Sequence, residues 1–287
     1  MKPQYNASIT KYNSWHVGGT VEVLLEPTNS EDFKKSLHYI GSYPVVWLGL
    51  GSNVLFEDGC LPAVVIKTKK ALNKLTVTQE GMYAQAGVSC AKLSRSAIAN
   101  GFEDLAFFAG VPGTVGGALS MNAGAFQGET WEFVTAVEWL WPDGSVDILT
   151  PEQFNVGYRH VVKPDEGCFW GAWFQSKKGS PSSGKSKIKT LLQQRQLTQP
   201  IGKFSCGSVF KNPDGMHAAQ LIESCGLKGL SIGGAQISQL HANFIINNNH
   251  ALCSDILELV ETIKERVYSE FSVVLEPEFH LLSEDTL

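Results

Sequence analysis

Three polar side chains in this 287-residue chain sit where residue type and neighbours suit the handling of charge or protons. Arg159 follows Gly157-Tyr158, which sets a permanently charged, forked donor beside an aromatic ring, a pairing suited to holding a carboxylate. Ser208 lies in Cys206-Gly207-Ser208-Val209-Phe210-Lys211-Asn212-Pro213, a hydroxyl on a glycine turn next to Lys211 and Asn212. Glu278, in Glu276-Pro277-Glu278, stands between the apolar Leu275 and Phe279. A carboxyl turned into such surroundings has a raised pKa unless it is paired, which makes Glu278 an acid–base candidate. Each also has a plainer reading: a surface ion pair for Arg159, a turn serine, a structural pair between Glu278 and an arginine. His241, in Leu240-His241-Ala242-Asn243-Phe244, reads either as a ligand contact or as a satisfied core histidine.

A second kind of chemistry needs only backbone. Residues 105–126 carry no charge and include Gly110, Val111, Pro112, Gly113, Thr114, Gly116 and Gly117, then Asn122, Gly124 and Ala125. Glycines this dense expose successive N–H groups, and a concave row of them binds phosphate without a lysine. The alternative is a tightly packed structural turn. Gly49, Gly51, Ser52 and Asn53 follow an apolar strand and begin like a dinucleotide fingerprint, but its third glycine is missing and no helix clearly follows. Residues 179–186, GSPSSGKS, satisfy the phosphate-loop pattern GxxxxGK[ST]. The sequence after them shows neither a strand ending in an acidic metal ligand nor a run of βα units, so a nucleotide hydrolase using Lys185 is the rival reading rather than the leading one.

The elements that must position these residues form an α+β arrangement. Short β-type runs at residues 21–25, 45–48, 63–66, 82–86, 136–140 and 169–174 are interrupted by helical patterns at 30–40 and 90–100. The last third turns amphipathic at 188–197, 216–225 and 254–270, with a β-rich run at 242–246. Between these regions residues 176–186 have the Ser, Gly, Pro and Lys content of a surface loop, and the main boundary is placed there.

Composition narrows the function class. A net charge of −5 gives no whole-chain attraction to nucleic acid or anionic lipid, so anion binding must be local. The six cysteines show no CxxC pair, which argues against a zinc site or a disulfide scaffold, and no metal is expected. Residues 1–12 lack the apolar core of a signal peptide, and a membrane helix through 105–126 would be broken by Pro112 and five glycines. A cytoplasmic protein is expected, with no membrane insertion.

Taken in order, the segments resemble the UDP-N-acetylenolpyruvoylglucosamine reductase (MurB) family. The likeness runs through Asn13-Ser14-Trp15-His16-Val17-Gly18-Gly19, GLGSNVLF at 49–56, GVPGTVGGALSMNAGAF at 110–126 and Gly157-Tyr158-Arg159. It continues through Gln199-Pro200, GSVFKNP at 207–213, GLKGLSIGGAQIS at 226–238, HANFIIN at 241–247 and LEPE at 275–278. Several ordered motifs are far more specific than any one. Three positions depart from the family pattern: Thr20 replaces a proline, His160-Val161-Val162 lacks a usual serine, and His280 stands where an arginine often follows the glutamate.

The resemblance implies a fold and a reaction. It implies a two-subdomain FAD-binding region of the vanillyl-alcohol-oxidase type, residues 1–67 and 68–180. A C-terminal α+β substrate-binding domain, residues 187–287, follows, its last strand returning Glu278 to the flavin. It implies non-covalent FAD, its pyrophosphate in the glycine-rich cradle with help from Gly51 to Asn53. NADPH reduces the flavin and leaves, and UDP-N-acetylglucosamine enolpyruvate takes its place and becomes UDP-N-acetylmuramate, a peptidoglycan precursor. Hydride passes to the terminal carbon, Arg159 and Glu278 stabilise the enolate-like species, and Ser208 delivers the proton. Tyr158, Lys211, Asn212, Gln236, His241 and Asn243 are expected at the substrate. The absence of an insertion with an extra clamping tyrosine is similar to the compact subtype. A flavoprotein of this fold that has lost catalysis remains a third reading.

Overall fold

The computed structural model describes residues 1–164 and 166–287, and the chain folds into two compact units. The first comprises Met1–Gln4, Leu24–Leu50 and Val64–Arg195, and the second Tyr5–Val23, Gly51–Ala63 and Gln196–Leu287.

In the first unit the apolar strand Val45–Leu48 pairs in parallel with the second half of Cys60–Lys67, Val45 opposite Val64 and Leu48 opposite Lys67. The helix Ser30–Ser36 has its start fixed by Asn29, whose side chain accepts from Asp32 N at 2.8 Å. Its Phe33 is fully buried, 5.6 Å from Trp47 and 5.9 Å from Trp170 between ring centres. The larger sheet is antiparallel throughout, in the order Val146–Leu149, Val134–Leu140, Cys168–Phe174, Met82–Gln85, Leu75–Val77. Its middle strand, CFWGAWF, is buried along nearly its whole length, which explains why it reads as a continuous apolar run instead of alternating. The helix Cys90–Ala99, capped by Ser89, buries Leu93, Ala97 and Ile98, and Ser94 Oγ donates to the Ala106 carbonyl at 3.1 Å.

The second unit is built around Trp15, Val209, Phe210, Ile237, Ile245 and Phe279. The indole N–H of Trp15 donates to the Ile245 carbonyl at 2.8 Å, and its ring meets Phe279 edge-on at 5.2 Å. The helix Cys253–Phe271 presents Ile256, Leu259, Val260, Ile263 and Val267 to this core at helical spacing. Its first amides, of Cys253 and Ser254, donate to the two carboxylate oxygens of Asp58 at 2.9 and 3.1 Å. An antiparallel meander, Ser231–Ile232, Ala235–Ile237 and Ile245–Asn247, lies beside it in the chain's order. The strand Val54–Phe56 pairs in parallel with His280–Leu282.

Strands and helices stand close to where periodicity placed them, with three informative differences. Within residues 105–126, expected to be poor in helix, Val115–Met121 is α-helical. A tertiary approach outweighs propensity there: a Cβ on Gly116 would lie 2.9 Å from Ala86 Cβ, so glycine lets this helix touch the main chain below it. Residues 176–186 are a loop only in part, because the helix Pro181–Thr198 starts inside them. The Gly184 amide donates to the Ser180 carbonyl at 3.1 Å, so the segment's N–H groups run along a helix and form no concave nest for phosphate. Lys185 is exposed on that helix. In residues 242–246 only Ile245 onward is extended, because Asn243 and His241 hold the preceding residues in a turn. No helix among the described residues is long and apolar enough to cross a membrane, and all six cysteines are free thiols.

Candidate functional site

In the first unit two glycine segments meet. The strand Val45–Leu48 ends at Gly49, where a Cβ would lie 2.4 Å from Thr114 Oγ1. Thr114 is buried and caps the helix Val115–Met121. The amides of the cradle are less available than their number suggests. Those of Val111 and Gly113 donate to the Phe108 and Val111 carbonyls at 3.2 and 3.0 Å, and those of Val115 and Gly116 to Val88 and Ala86, both at 2.8 Å. Gly110 is glycine for packing, since a Cβ there would sit 2.4 Å from the Phe126 ring. Gly117 is different. It is exposed, its amide lies 3.5 Å from Thr114 Oγ1, and its Cβ position meets nothing nearer than that same oxygen at 3.8 Å. Of these positions Gly117 is the one whose main chain is open to an approaching anion, near the exposed Pro112 on the preceding turn, whereas the space at Gly49 is filled by the buried Thr114 side chain.

The same run leads into the arginine. Asn122 ends the helix in the left-handed region (φ +42°), and its side chain is consumed by the protein. Its Nδ2 donates to Glu129 Oε2 at 2.8 Å and to the Gly157 carbonyl at 3.1 Å, while its Oδ1 accepts from Trp131 N at 3.1 Å. Arg159 Nη2 donates to the Gly124 carbonyl at 3.0 Å and Nη1 to the Asn122 carbonyl at 3.3 Å, with Glu129 Oε1 3.5 Å from Nη1. Only 15% of the Arg159 side chain is exposed, and the guanidinium lies 4.9 Å from the centre of the exposed Tyr158 ring. Ala125 pairs with Gly128 in the hairpin that carries Glu129. Glu129 is absent from the residues singled out by sequence. One signal pointed to it: it is the first charged residue after Asp104, closing the uncharged run.

The second unit brings Ser208 and Glu278 onto one backbone ladder. The Glu278 amide donates to the Val209 carbonyl at 2.7 Å, the Lys211 amide to the Glu276 carbonyl at 2.9 Å, and Phe210 bridges Pro277. Ser208, half-buried, follows Gly207, whose φ of +93° makes the turn. Asn243 holds the segment from the other side. Its Oδ1 accepts from Phe210 N at 2.9 Å, its Nδ2 donates to Phe210 O at 2.8 Å, and its carbonyl accepts from Val209 N at 2.9 Å. Beneath lies Cys206, whose thiol pKa is pushed well up by burial and then by the Glu278 charge.

The remaining expected contacts divide by what their side chains already do. Lys211 Nζ pairs with the exposed Glu276 at 3.2 Å, Asn212 Oδ1 accepts from Ala218 N at 3.1 Å, and Gln236 Nε2 donates to Ser231 Oγ at 2.9 Å. His241 Nδ1 accepts from Asn243 N at 3.3 Å, and burial, then the nearby Lys228, lowers its pKa. Ser52 is half-buried in a bend, and Asn53 Nδ2 donates to the Glu278 carbonyl at 3.0 Å, so Asn53 anchors the segment that carries the carboxyl.

Gly51 is required by the protein itself. At φ +66° a Cβ would lie 2.2 Å from the Tyr12 carbonyl oxygen. Gly51→Ala therefore combines a left-handed alanine with backbone overlap, and an expected loss of about 2–4 kcal/mol should appear as a lower denaturant midpoint at unchanged slope.

Two family profiles match the chain: an FAD binding domain over residues 21–149, and the C-terminal domain of UDP-N-acetylenolpyruvoylglucosamine reductase over residues 199–282. The curated UDP-N-acetylenolpyruvoylglucosamine reductase of Alkalilimnicola ehrlichii is 46% identical over 277 residues, covering 96% of this chain and 93% of the relative. That of Coxiella burnetii is 43% identical over 295 residues with the same coverage. The crystal structure of the reductase from Thermus caldophilus superposes with a TM-score of 0.81 at 32% identity, covering 98% of both chains.

Proposed function

The chain belongs to the UDP-N-acetylenolpyruvoylglucosamine reductase family, and from that premise we propose that it reduces UDP-N-acetylglucosamine enolpyruvate to UDP-N-acetylmuramate for peptidoglycan synthesis. NADPH is the reductant and FAD the bound cofactor. The bound flavin supplies the hydride that reaches the terminal carbon of the enolpyruvyl group.

The observation that carries this reading is the ladder that ties Glu278 to Val209, the residue after Ser208, in a chain that also bears a mostly enclosed arginine. Ser208 gives its proton to the carbon that bears the substrate carboxylate. Arg159 binds that carboxylate and, with Glu278, stabilises the negative charge that develops next to it. Gly117, on the helix that Thr114 caps, takes the cofactor pyrophosphate through main-chain approach. Lys211, Asn212, Gln236, His241 and Tyr158 form the walls for the substrate. Functionally, the vanillyl-alcohol-oxidase-type cofactor region spans residues 1–67 and 68–180, and residues 187–287 serve the substrate. A cytoplasmic location suits six unpaired thiols.

The purified protein is expected to show an oxidised-flavin absorption spectrum that NADPH bleaches and the enolpyruvyl sugar nucleotide restores. A colourless protein that hydrolyses ATP would refute the assignment, and bleaching without restoration by that substrate would reassign the substrate.

A further inference from the structure

The chain that carries Glu278 passes between two kinds of pairing. Before it, Pro277 forms an isolated bridge with Phe210, and after it the parallel pairing of His280–Leu282 with Val54–Phe56 begins. Glu278 lies in neither of those strands, so the polar groups of its main chain need partners of another kind. Its amide donates to the Val209 carbonyl at 2.7 Å. Its carbonyl accepts from Asn53 Nδ2 at 3.0 Å, and the Asn53 carbonyl accepts from the His280 amide, also at 3.0 Å. Asn53 therefore bonds the residue before Phe279 and the residue after it. One residue of a parallel ladder grips its neighbour strand in that same way, on either side of the residue opposite, but through its own main-chain N–H. Here a side-chain amide stands in for that N–H and carries the register one step beyond Val54. Phe279, at the centre of the bracket, is 7% exposed, and its ring meets Trp15 edge-on at 5.2 Å.

We propose that Asn53 is a positioning residue for Glu278: its side-chain amide, acting as a ladder donor, fixes the peptide that follows Glu278 and so the place from which the carboxyl acts. The inference rests on the reading that Glu278 stabilises the charge developing on the substrate, and it concerns the main chain of Glu278 whatever its carboxyl meets. Val209 holds the Glu278 amide through a backbone atom, which no substitution removes. Asn53 holds the carbonyl through a side chain, so its contribution can be taken away. Without that bond the peptide can rotate and carry the carboxyl with it, and a displacement of about 1 Å costs on the order of 10²-fold in rate.

The test is a double-substitution cycle on the FAD-loaded protein, read as the single-turnover rate of flavin reoxidation by the enolpyruvyl substrate and, separately, the rate of flavin reduction by NADPH. Asn53→Ala is expected to slow reoxidation about 10–100-fold and to leave reduction within about twofold. In a Glu278→Gln background the same substitution is expected to add under about twofold, because the group it positions is already gone. Asn53→Gln, which keeps an amide donor on a longer stem, is expected to recover part of the rate. If Asn53→Ala does not retain FAD, Asn53→Gln in the two Glu278 backgrounds decides, with a loss of about threefold or more expected only where Glu278 is present. Equal losses in both backgrounds, equal losses in both half-reactions, or a loss confined to thermal stability would overturn the inference and leave the role of Glu278 standing. If Glu278→Gln alone reoxidises at the rate of the unsubstituted protein, the reading of Glu278 falls and this inference with it.

Discussion

Ser208→Ala is expected to slow reoxidation of the reduced flavin by the enolpyruvyl substrate about 10²–10⁴-fold, the usual contribution of a positioned general acid, and to leave reduction by NADPH untouched. The asymmetry is the informative part. Proton delivery to carbon belongs only to the second half-reaction, so a residue serving it cannot matter to the first. A hydroxyl is a feeble acid, which places the burden on geometry. Here the geometry is supplied by the Gly207 turn at φ +93°, by the bond from the Glu278 amide to the Val209 carbonyl, and by the buried Val209 that follows. Rapid mixing of the reduced protein with substrate, followed at the flavin absorbance maximum, isolates the step. Equal losses in both half-reactions would remove Ser208 from its role and point to a general disturbance of the cofactor.

Asn243→Ala is expected to destabilise the protein by about 2–6 kcal/mol, because it strands the Phe210 N–H and C=O together, each costing about 1–3 kcal/mol when buried without a partner. Phe210 is 1% exposed and Asn243 3%, so water does not reach the gap. The loss should be visible as a lower denaturant midpoint. Since Phe210 is two residues from Ser208, the surviving folded enzyme should also show slower reoxidation by substrate. A stability within about 0.5 kcal/mol of the unsubstituted protein, the range of ordinary surface changes, would show that Phe210 finds other partners. On this geometry Asn243 works through the backbone it grips, whereas the sequence suggested a wall residue for the substrate.

That shift shows where the sequence is legible and where it stops. Apolar spacing places Val45–Leu48 and the helix Cys253–Phe271 because period alone decides which face is buried. Glycine density marks the cradle, but not that the Val115 and Gly116 amides are engaged by Val88 and Ala86, acceptors from a distant part of the chain. The sequence singles out Asn122 and Asn243 for a ligand and not for the backbone they grip, because an amide side chain declares that purpose only when the backbone atoms it bonds have been brought to it. Glu129 stands out along the chain only as the charge that closes the uncharged run; that it lies 3.5 Å from Arg159 is set by tertiary structure and by no pattern along the chain.

The parallel pairing of Val54–Phe56 with His280–Leu282 also sets an order of events during synthesis. An early strand must wait, one edge unmatched, until the chain has been made through Leu282. Local contacts elsewhere form on much shorter timescales. The carboxyl of Glu278 therefore arrives with the piece that closes the second unit, and a nascent chain passes from open to competent in a single late act.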